Sequence, residues 1–479
     1  MRRVHENTGC PDQTEESGPP HERYYLFFRR RTLIKYVKRF MRRGWQDPRN
    51  LFFLLAALGI LLWVPLAIHF GGELYTWMVQ ENKPEIRFMD YFPHLTDAAD
   101  PSHLYHHIAR GDTGSYAPVF PPLAYGMYYL LYRLTYLRSG IPEGMETEAI
   151  PGALSVFTMY LVFNAVLFFL AIEITGQKNR KKDLLLFALL MLSVVFMGSG
   201  YMLGNSATLV LALLIIGLHM AESSRSLQRE LGLVILALCV GLKIYPAVFG
   251  LVFLKEKKYI ELARLTLYSL LLVLLPFAFF GGLDGIRAWL DNLTGPLQSA
   301  GLYGRPQFLK GLFFTLIQMI TGQDAVAFSG ILALVVMILW VILAWRSRSK
   351  WRTLFFLCCI MIFYPSGAYR YTLAYLAIPL ITMLKEPSEE EPRFWPEGSV
   401  SALFGLLFTI PVWWLLVIPM NQRFDVPILT SVEIYLYLVA YALILTVTIA
   451  ELAAPGRIQS RIQRTHHLPR KMNASKERA

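Results

Sequence analysis

Hydrophobic residues occur along this chain in continuous blocks rather than at alternating positions. The first block, residues 51–71 (LFFLLAALGILLWVPLAIHFG), is long enough to cross a bilayer, because a spanning helix needs about 20 apolar residues. Further blocks occur at 152–175, 184–203, 206–221, 230–254, 259–280, 325–345, 353–368, 371–384, 400–420 and 432–452. Continuous blocks argue against a membrane β-barrel, whose strands alternate. The pattern predicts an all-α, polytopic helical membrane protein.

Two segments need a separate interpretation. Residues 230–254 contain Lys243-Ile-Tyr-Pro near their middle and are followed by the basic run 255–258. A hairpin with its tip at Lys243–Pro246 keeps this run on the cytoplasmic side, whereas a single crossing does not. Residues 120–138 are rich in tyrosine and arginine, which is typical of a membrane interface, so they are predicted to form an interfacial helix in the first extracytoplasmic loop. The total is about twelve transmembrane helices.

The formal net charge of +12 follows the membrane pattern. Basic residues lie beside the apolar blocks, as the positive-inside rule and attraction to anionic lipids require, so the chain is predicted to bind membrane lipids and no nucleic acid. The predicted organisation is a basic cytoplasmic tail (1–50), an integral membrane domain (51–453) and a basic cytoplasmic tail (454–479). Residues 26–43 fit either an amphipathic surface helix or a plain basic stop signal. We expect a multi-pass protein with both termini cytoplasmic.

Cations in apolar surroundings are the sharpest chemical signal, because ionisable groups at membrane depth are costly and mark candidate functional sites. Lys243 lies in LCVGLKIYPAVFG, with apolar residues on both sides. It suits contact with a lipid phosphate, and the alternative is a lysine that snorkels from a helix end. Arg370, in YPSGAYRYTLAY, suits bidentate contact with phosphate or carboxylate. The alternative for Arg370 is a structural ion pair or an interfacial anchor.

Acidic and aromatic residues collect in the loop after the first block. Asp90 is a candidate general base, although composition alone does not separate it from Asp97 or Asp100, and a loop acid also caps helices. No HExxH or DxD motif is present and the four cysteines show no metal-ligand spacing, so no metal and no cofactor are predicted. Further candidate substrate-binding residues on the predicted outer face are His94, Tyr116, Asn205, Tyr245, Arg305 and Tyr371.

The order of these motifs resembles glycosyltransferase family 87, a group of integral membrane enzymes with the GT-C architecture. The motifs are an aspartate soon after the first span, GDTGSYAPVFPP at 111–122, a Gly204-Asn205 turn, and GLKIYP at 241–246 before a basic run. The resemblance covers roughly residues 50–385. The family includes α-mannosyltransferases. The family often shows Gly-Gln-x-Asn where this chain has Gly204-Asn205-Ser206-Ala207, so the pattern departs at Asn205.

The resemblance implies a chemical function. It implies transfer of one sugar, a hexose such as mannose, from polyprenyl phosphate to an extracytoplasmic lipid or glycan acceptor with inversion. By the same resemblance Asp90 is the catalytic base, Lys243 binds the donor phosphate, and a bacterial plasma membrane is the expected location. Arg370 is assigned to the phosphate as well, because a second cation there stabilises the leaving group.

Three other functions remain open at this stage. A secondary transporter has a similar number of spans, but such proteins usually contain two similar halves with a midplane site, and no repeat is visible. A lipid-linked polymer ligase or acyltransferase fits the same external site and differs in the group it transfers. A non-catalytic membrane scaffold leaves Lys243 and Arg370 unexplained.

Overall fold

The computed structural model describes eleven parts of the chain. They are residues 47–70, 91–105, 118–135, 152–175, 179–197, 204–294, 307–322, 326–365, 370–386, 397–409 and 428–453. Every regular element within these ranges is helical. The all-α prediction is therefore confirmed for the described part of the chain.

The described α-helices longer than three residues are numbered in chain order. The first eight are α1 (Leu51–Phe70), α2 (Phe92–Ala98), α3 (Pro122–Arg133), α4 (Ala153–Ile174), α5 (Arg180–Met191), α6 (Ala207–Ala221), α7 (Ser226–Leu242) and α8 (Gly250–Lys255). The next eight are α9 (Tyr259–Leu274), α10 (Gly282–Thr294), α11 (Leu309–Thr321), α12 (Val326–Arg346), α13 (Lys350–Phe363), α14 (Ala377–Lys385), α15 (Ser399–Leu407) and α16 (Ile428–Leu452). Short 3₁₀ segments occur at Pro48–Asn50, Tyr245–Phe249, Leu275–Ala278 and Arg370–Leu376.

Five described helical segments are long and apolar enough to cross a membrane: Pro48–Pro65, Ala153–Ile174, Tyr259–Ala278, Val326–Arg346 and Val432–Leu452. Only 11% of the residues in the most apolar stretch of Tyr259–Ala278 are buried, and only 22% of those in Val326–Arg346. Both segments therefore present apolar side chains to their surroundings. A protein in water rarely exposes continuous apolar surface of this kind, whereas lipid accommodates it. The fold is that of a helical membrane protein. The total of about twelve spans stays a prediction, as does the interfacial position of α3.

Two broken hairpins organise the bundle. In the first, α7 leads to a tip at Lys243–Pro246 and the chain returns through α8. Arg229 near the start of α7 pairs with Glu261 near the start of α9 (Nε–Oε1 3.7 Å), so both helices begin at one end of the bundle. The bend lies where Lys243 leaves the helix in extended backbone and Pro246 lacks the N–H that a continuing helix needs.

The second hairpin runs through α13, a tip at Arg370–Tyr371, and α14. Its two ends meet, because the Glu386 side chain after α14 accepts a hydrogen bond from the Lys350 backbone N–H at the start of α13 (3.2 Å). Lys255, at the end of α8, donates to the Ala344 carbonyl of α12 (2.9 Å). We call this end, with Arg229, Lys255, Lys350 and Lys385, the basic end. The opposite end, with the tips Lys243–Pro246 and Arg370–Tyr371, is the tip end.

Helix α10 fixes a connecting segment close to the tips. The Trp289 indole N–H donates to the Val119 carbonyl (3.1 Å). The Asn292 amide donates to the carbonyls of Tyr105 (3.2 Å) and Pro118 (3.1 Å). Because a buried or half-buried carbonyl that loses its donor is costly, these contacts hold residues 118–120 in one position. The sequence patterns did not predict α10 or α11, since both lie between the apolar blocks 259–280 and 325–345.

Candidate active site

Lys243 lies at the tip of the first broken hairpin and is 1% exposed. Its ammonium nitrogen lies 4.4 Å from the ring centroid of Phe120, 4.9 Å from that of Tyr371 and 5.7 Å from that of Tyr245. Each cation–π contact contributes about 0.5–2 kcal/mol, with the higher value where water is excluded. The rings thus offset part of the cost of burying the charge. The low dielectric around the ammonium also strengthens its attraction to any anion that enters.

The second hairpin tip contributes Arg370 and Tyr371, both buried. Tyr371 joins the two tips directly, because its ring contacts the Lys243 ammonium. The rings of Tyr245 and Tyr375 add a second contact between the hairpins, with centroids 5.9 Å apart. The structure therefore places Arg370 next in the chain to a residue that touches Lys243. Three of the sequence-predicted site residues, Lys243, Tyr245 and Tyr371, meet at this junction, and Arg370 is the chain neighbour of Tyr371.

His94, in helix α2, approaches the same junction through Phe120. Its ring centroid lies 4.9 Å from that of Phe120, 5.6 Å from that of Tyr125 and 5.3 Å from that of Tyr128. Its Nδ1 lies 3.8 Å from an Asp97 carboxylate oxygen, which is too long for a hydrogen bond. Phe120 is thus shared by His94 and Lys243. Sequence reasoning did not name Phe120, although it stands inside the proline-rich PVFPP run that was singled out.

Asn205 has a structural contact in the described part of the chain. Its side-chain oxygen accepts a hydrogen bond from the Ala207 backbone N–H (2.8 Å) at the start of α6. Gly204 before it has φ +69°, and a Cβ at this position would lie 2.6 Å from Cβ of Tyr91 and 2.9 Å from the Phe157 ring. Glycine is therefore required by both backbone angle and space. A substrate contact by Asn205 stays a prediction.

Three predicted site residues, Asp90, Tyr116 and Arg305, lie outside the described residues. The covalent neighbour of Asp90, Tyr91, is fully buried, with its ring centroid 4.6 Å from that of Phe157 and 5.8 Å from that of Tyr160. The aromatic residues around Tyr91 continue to His94, since the rings of Tyr91 and Tyr128 lie 6.2 Å apart. The chain immediately after Asp90 is thus packed into the aromatic cluster that reaches Lys243.

Asp100 differs from the other candidate bases in its surroundings. Partial burial acts to raise the pKa of its carboxyl, but hydrogen bonds from the Ser102 hydroxyl (2.7 Å) and from His103 (3.1 Å) outweigh burial, and the pKa is lowered. A carboxylate with a lowered pKa is a weaker base. Asp100 therefore fits the stabilisation of its own loop better than proton abstraction.

The basic end contains a cavity of about 200 Å³, at the opposite end of the bundle from Lys243. Two lysines line it, and both are paired within the protein. The Lys350 ammonium lies 2.5 Å from the Glu222 carboxylate, and the Lys385 ammonium lies 3.2 Å from the Asp183 carboxylate. The Lys243 ammonium is instead surrounded by three aromatic rings, and we place the candidate active site at this aromatic junction of the tip end.

Comparison with known proteins shows a similarity to one family over part of the chain. Residues 148–367 match the family model of glycosyltransferase family 87. The match confirms the resemblance drawn from the motifs and indicates a glycosyltransferase. It includes Lys243 and Tyr245 at the first tip, whereas Asp90 and His94 precede it and Arg370 follows it. No curated protein and no solved structure matched the chain.

Proposed function

We propose that this glycosyltransferase moves a single sugar from polyprenyl phosphate to a lipid or glycan acceptor, with inversion at the anomeric carbon. The family resemblance favours a hexose such as mannose. The observation that carries the proposal is the meeting of the two hairpin tips, where the ring of Tyr371 lies 4.9 Å from the Lys243 ammonium and next to Arg370. The buried Lys243 ammonium suits a phosphate group, and the proposal adds Arg370 from the second hairpin tip as a second cation.

The cations have a defined role in this reaction. As the bond between the anomeric carbon and the phosphate oxygen breaks, negative charge grows on the phosphate that leaves with the polyprenyl chain. A buried ammonium stabilises that charge more strongly than a solvated one, and a guanidinium binds two phosphate oxygens at once. Lys243 and Arg370 therefore act as transition-state stabilisers in this proposal.

A general base completes the mechanism. Asp90 accepts the proton of the acceptor hydroxyl while the hydroxyl oxygen attacks the anomeric carbon from the face opposite the phosphate. One base is sufficient for inversion, because phosphate is a good leaving group and needs no general acid. The lowered pKa of the Asp100 carboxyl supports Asp90 or Asp97 over Asp100 in this role.

Aromatic residues account for sugar and acceptor binding in the proposal. Phe120, Tyr245 and Tyr371 supply ring faces beside the Lys243 ammonium, and sugar rings pack well on such faces. The Tyr91 hydroxyl is buried and makes no hydrogen bond within the described residues. Buried hydroxyls are normally satisfied by protein, water or ligand, so Tyr91 suits a substrate hydroxyl or a bound water.

The charge distribution supports an extracytoplasmic site. Arg229, Lys255, Lys350 and Lys385 all lie at the basic end, and basic residues concentrate on the cytoplasmic side of membrane proteins. The tip end then faces the opposite side of a plasma membrane. With the basic end cytoplasmic, we infer that both termini are cytoplasmic as well.

The test is sugar transfer from a panel of radiolabelled polyprenyl-phosphate sugars in membranes that contain the wild-type protein or Asp90→Asn. Asp284→Asn, in exposed α10, is the matched control because it removes an exposed carboxylate outside the proposed site. We expect transfer from one donor by wild type and Asp284→Asn, and loss of transfer in Asp90→Asn. Full transfer by Asp90→Asn rejects Asp90 as the base, and absence of transfer from every donor rejects the donor class.

A further inference from the structure

Helix α10 presents two chemically different edges to its surroundings. Leu283 and Leu290 lie two helical turns apart on one edge and are 75% and 48% exposed. We call this the apolar edge. Three charged residues at helical spacing form the neighbouring charged edge: Asp284, Arg287 and Asp291. A helix with one apolar edge and one charged edge is suited to lie along a membrane surface, because lipid and water favour opposite edges.

The inner side of α10 is bound firmly to the protein. Gly285 and Trp289 are buried, and the Trp289 indole N–H donates to the Val119 carbonyl (3.1 Å). A Cβ at Gly285 would overlap the carbonyl oxygen of Phe280, so only glycine allows this close approach. The helix therefore cannot rotate to cover its apolar edge without breaking these contacts.

The apolar edge continues the exposed apolar surface of α9. At the end of the segment Tyr259–Ala278, Leu275 is 64% exposed, and Phe279, which follows the segment, is 54% exposed. The chain then turns through two consecutive glycines in left-handed backbone (φ +80° and +59°) and enters α10. Leu283 follows the second glycine directly. One continuous apolar surface therefore passes from a segment long enough to span a membrane onto α10.

The corner between α9 and α10 also contacts α3. The ring of Phe279 packs against that of Tyr129, with centroids 5.3 Å apart. Tyr129 belongs to the tyrosine-rich segment whose composition predicts an interfacial helix. Aromatic residues concentrate where spanning segments meet the lipid headgroups, so this pair is typical of a membrane interface.

We propose that α10 lies along the membrane surface at the tip end, with its apolar edge among the lipid acyl chains and its charged edge in water. The partner is the lipid surface itself, bound through apolar burial. The charged edge carries two acids and one arginine, so attraction to anionic lipids does not contribute. The inference goes beyond the proposed function and does not depend on it.

The position of α10 has a consequence for the candidate active site. Trp289 and Asn292 hold the carbonyls of Val119 and Pro118, and the next residue, Phe120, contacts the Lys243 ammonium. The depth of α10 in the membrane therefore fixes the depth of this junction. An interfacial α10 sets it near the level of the lipid headgroups, where the phosphate of a membrane lipid lies.

Spin labels on the two edges test the proposal. The full-length protein in phosphatidylcholine nanodiscs carries a nitroxide at Leu283→Cys or, as the matched control, at the similarly exposed Asp284→Cys. Cys10 is replaced by serine in both, and the other three cysteines are buried. Collision rates are measured with oxygen, which concentrates in lipid, and with a water-soluble nickel chelate. We expect the ratio of oxygen to chelate collisions to be severalfold higher at position 283 than at position 284.

A second pair keeps the test decisive if the first does not fold. Leu290→Cys and Asp291→Cys repeat the comparison two turns further along α10, and the same severalfold difference is expected. Adding phosphatidylglycerol to the nanodiscs should leave both ratios unchanged. Equal ratios on the two edges overturn the proposal, because α10 would then lie wholly in water or wholly in lipid. A lipid-like ratio that requires phosphatidylglycerol overturns it as well, because charge and not the apolar edge would then bind the membrane.

Discussion

Replacing Lys243 by methionine isolates the charge at the tip junction. Methionine has a similar length and no charge, so it retains contacts with the three surrounding rings, whose centroids lie 4.4–5.7 Å from the ammonium. Removal of one partner from a buried charge pair costs about 3–5 kcal/mol. At about 1.4 kcal/mol per tenfold change, we expect kcat/KM for the lipid donor to fall by about 10²-fold to several thousand-fold.

The fold is expected to tolerate this substitution. Exchange of a buried charge for an apolar side chain of similar volume is often neutral or stabilising, because the desolvation cost disappears with the charge. We therefore expect a melting temperature close to that of wild type together with the loss of activity.

The assay compares initial rates of sugar transfer in detergent micelles across donor concentrations. Lys181→Met, in the exposed first turn of α5, serves as the matched control and is expected to retain wild-type kcat/KM. A folded Lys243→Met protein with activity within about threefold of wild type would exclude Lys243 from the donor phosphate, since hydrogen bonds to charged groups contribute about 1.5–3 kcal/mol and a threefold change is only about 0.7 kcal/mol.

Three further predictions concern the frame of the site. Gly204→Ala should lower the unfolding temperature by several degrees, because the new Cβ would lie 2.6 Å from Cβ of Tyr91 and overpacking costs about 1–3 kcal/mol. Gly282→Ala, also at positive φ (+59°) but with no atom within 4 Å, should cost less, and an equal loss would contradict the steric argument. Asn292→Ala should raise the donor KM severalfold, because it removes the donor of two backbone carbonyls beside the segment that leads to the site. Hydrogen exchange of the bundle helices, measured without lipid, should stay unchanged. An unchanged KM would contradict this prediction. The lowered pKa of the Asp100 carboxyl stabilises the folded state at pH values above the ordinary pKa of aspartate, and this contribution is lost as the pH falls below about 4. Asp100→Asn should therefore make the unfolding temperature depend less steeply on pH under acidic conditions. An equally steep dependence would contradict this prediction.

Much of the membrane architecture was predictable from sequence. Helices α1, α4, α9, α12 and α16 occupy the predicted blocks, because a helix is the only way for a single segment to satisfy its backbone in lipid. The bend at Lys243–Pro246 was predictable from the positive charges on both sides of one block. Helices α10 and α11 were missed because the blocks were chosen as long continuous apolar runs, whereas these two helices are 13 residues long and amphipathic.

The site was predictable as a set of residues on one face, but not as contacts. Lys243 and Arg370 stood out because ionisable groups in apolar surroundings are costly, yet no local pattern indicates that the ring of Tyr371 reaches Lys243. Phe120 was missed because an aromatic residue in a proline-rich run has many interpretations.

A structure of the protein with a non-transferable polyprenyl-phosphonate sugar shows whether the tip end holds the donor phosphate. We expect phosphonate oxygens about 3 Å from the Lys243 ammonium and from the Arg370 guanidinium, the distance of a charge-assisted hydrogen bond. A phosphonate bound instead in the cavity at the basic end, beside Lys350 and Lys385, would contradict it.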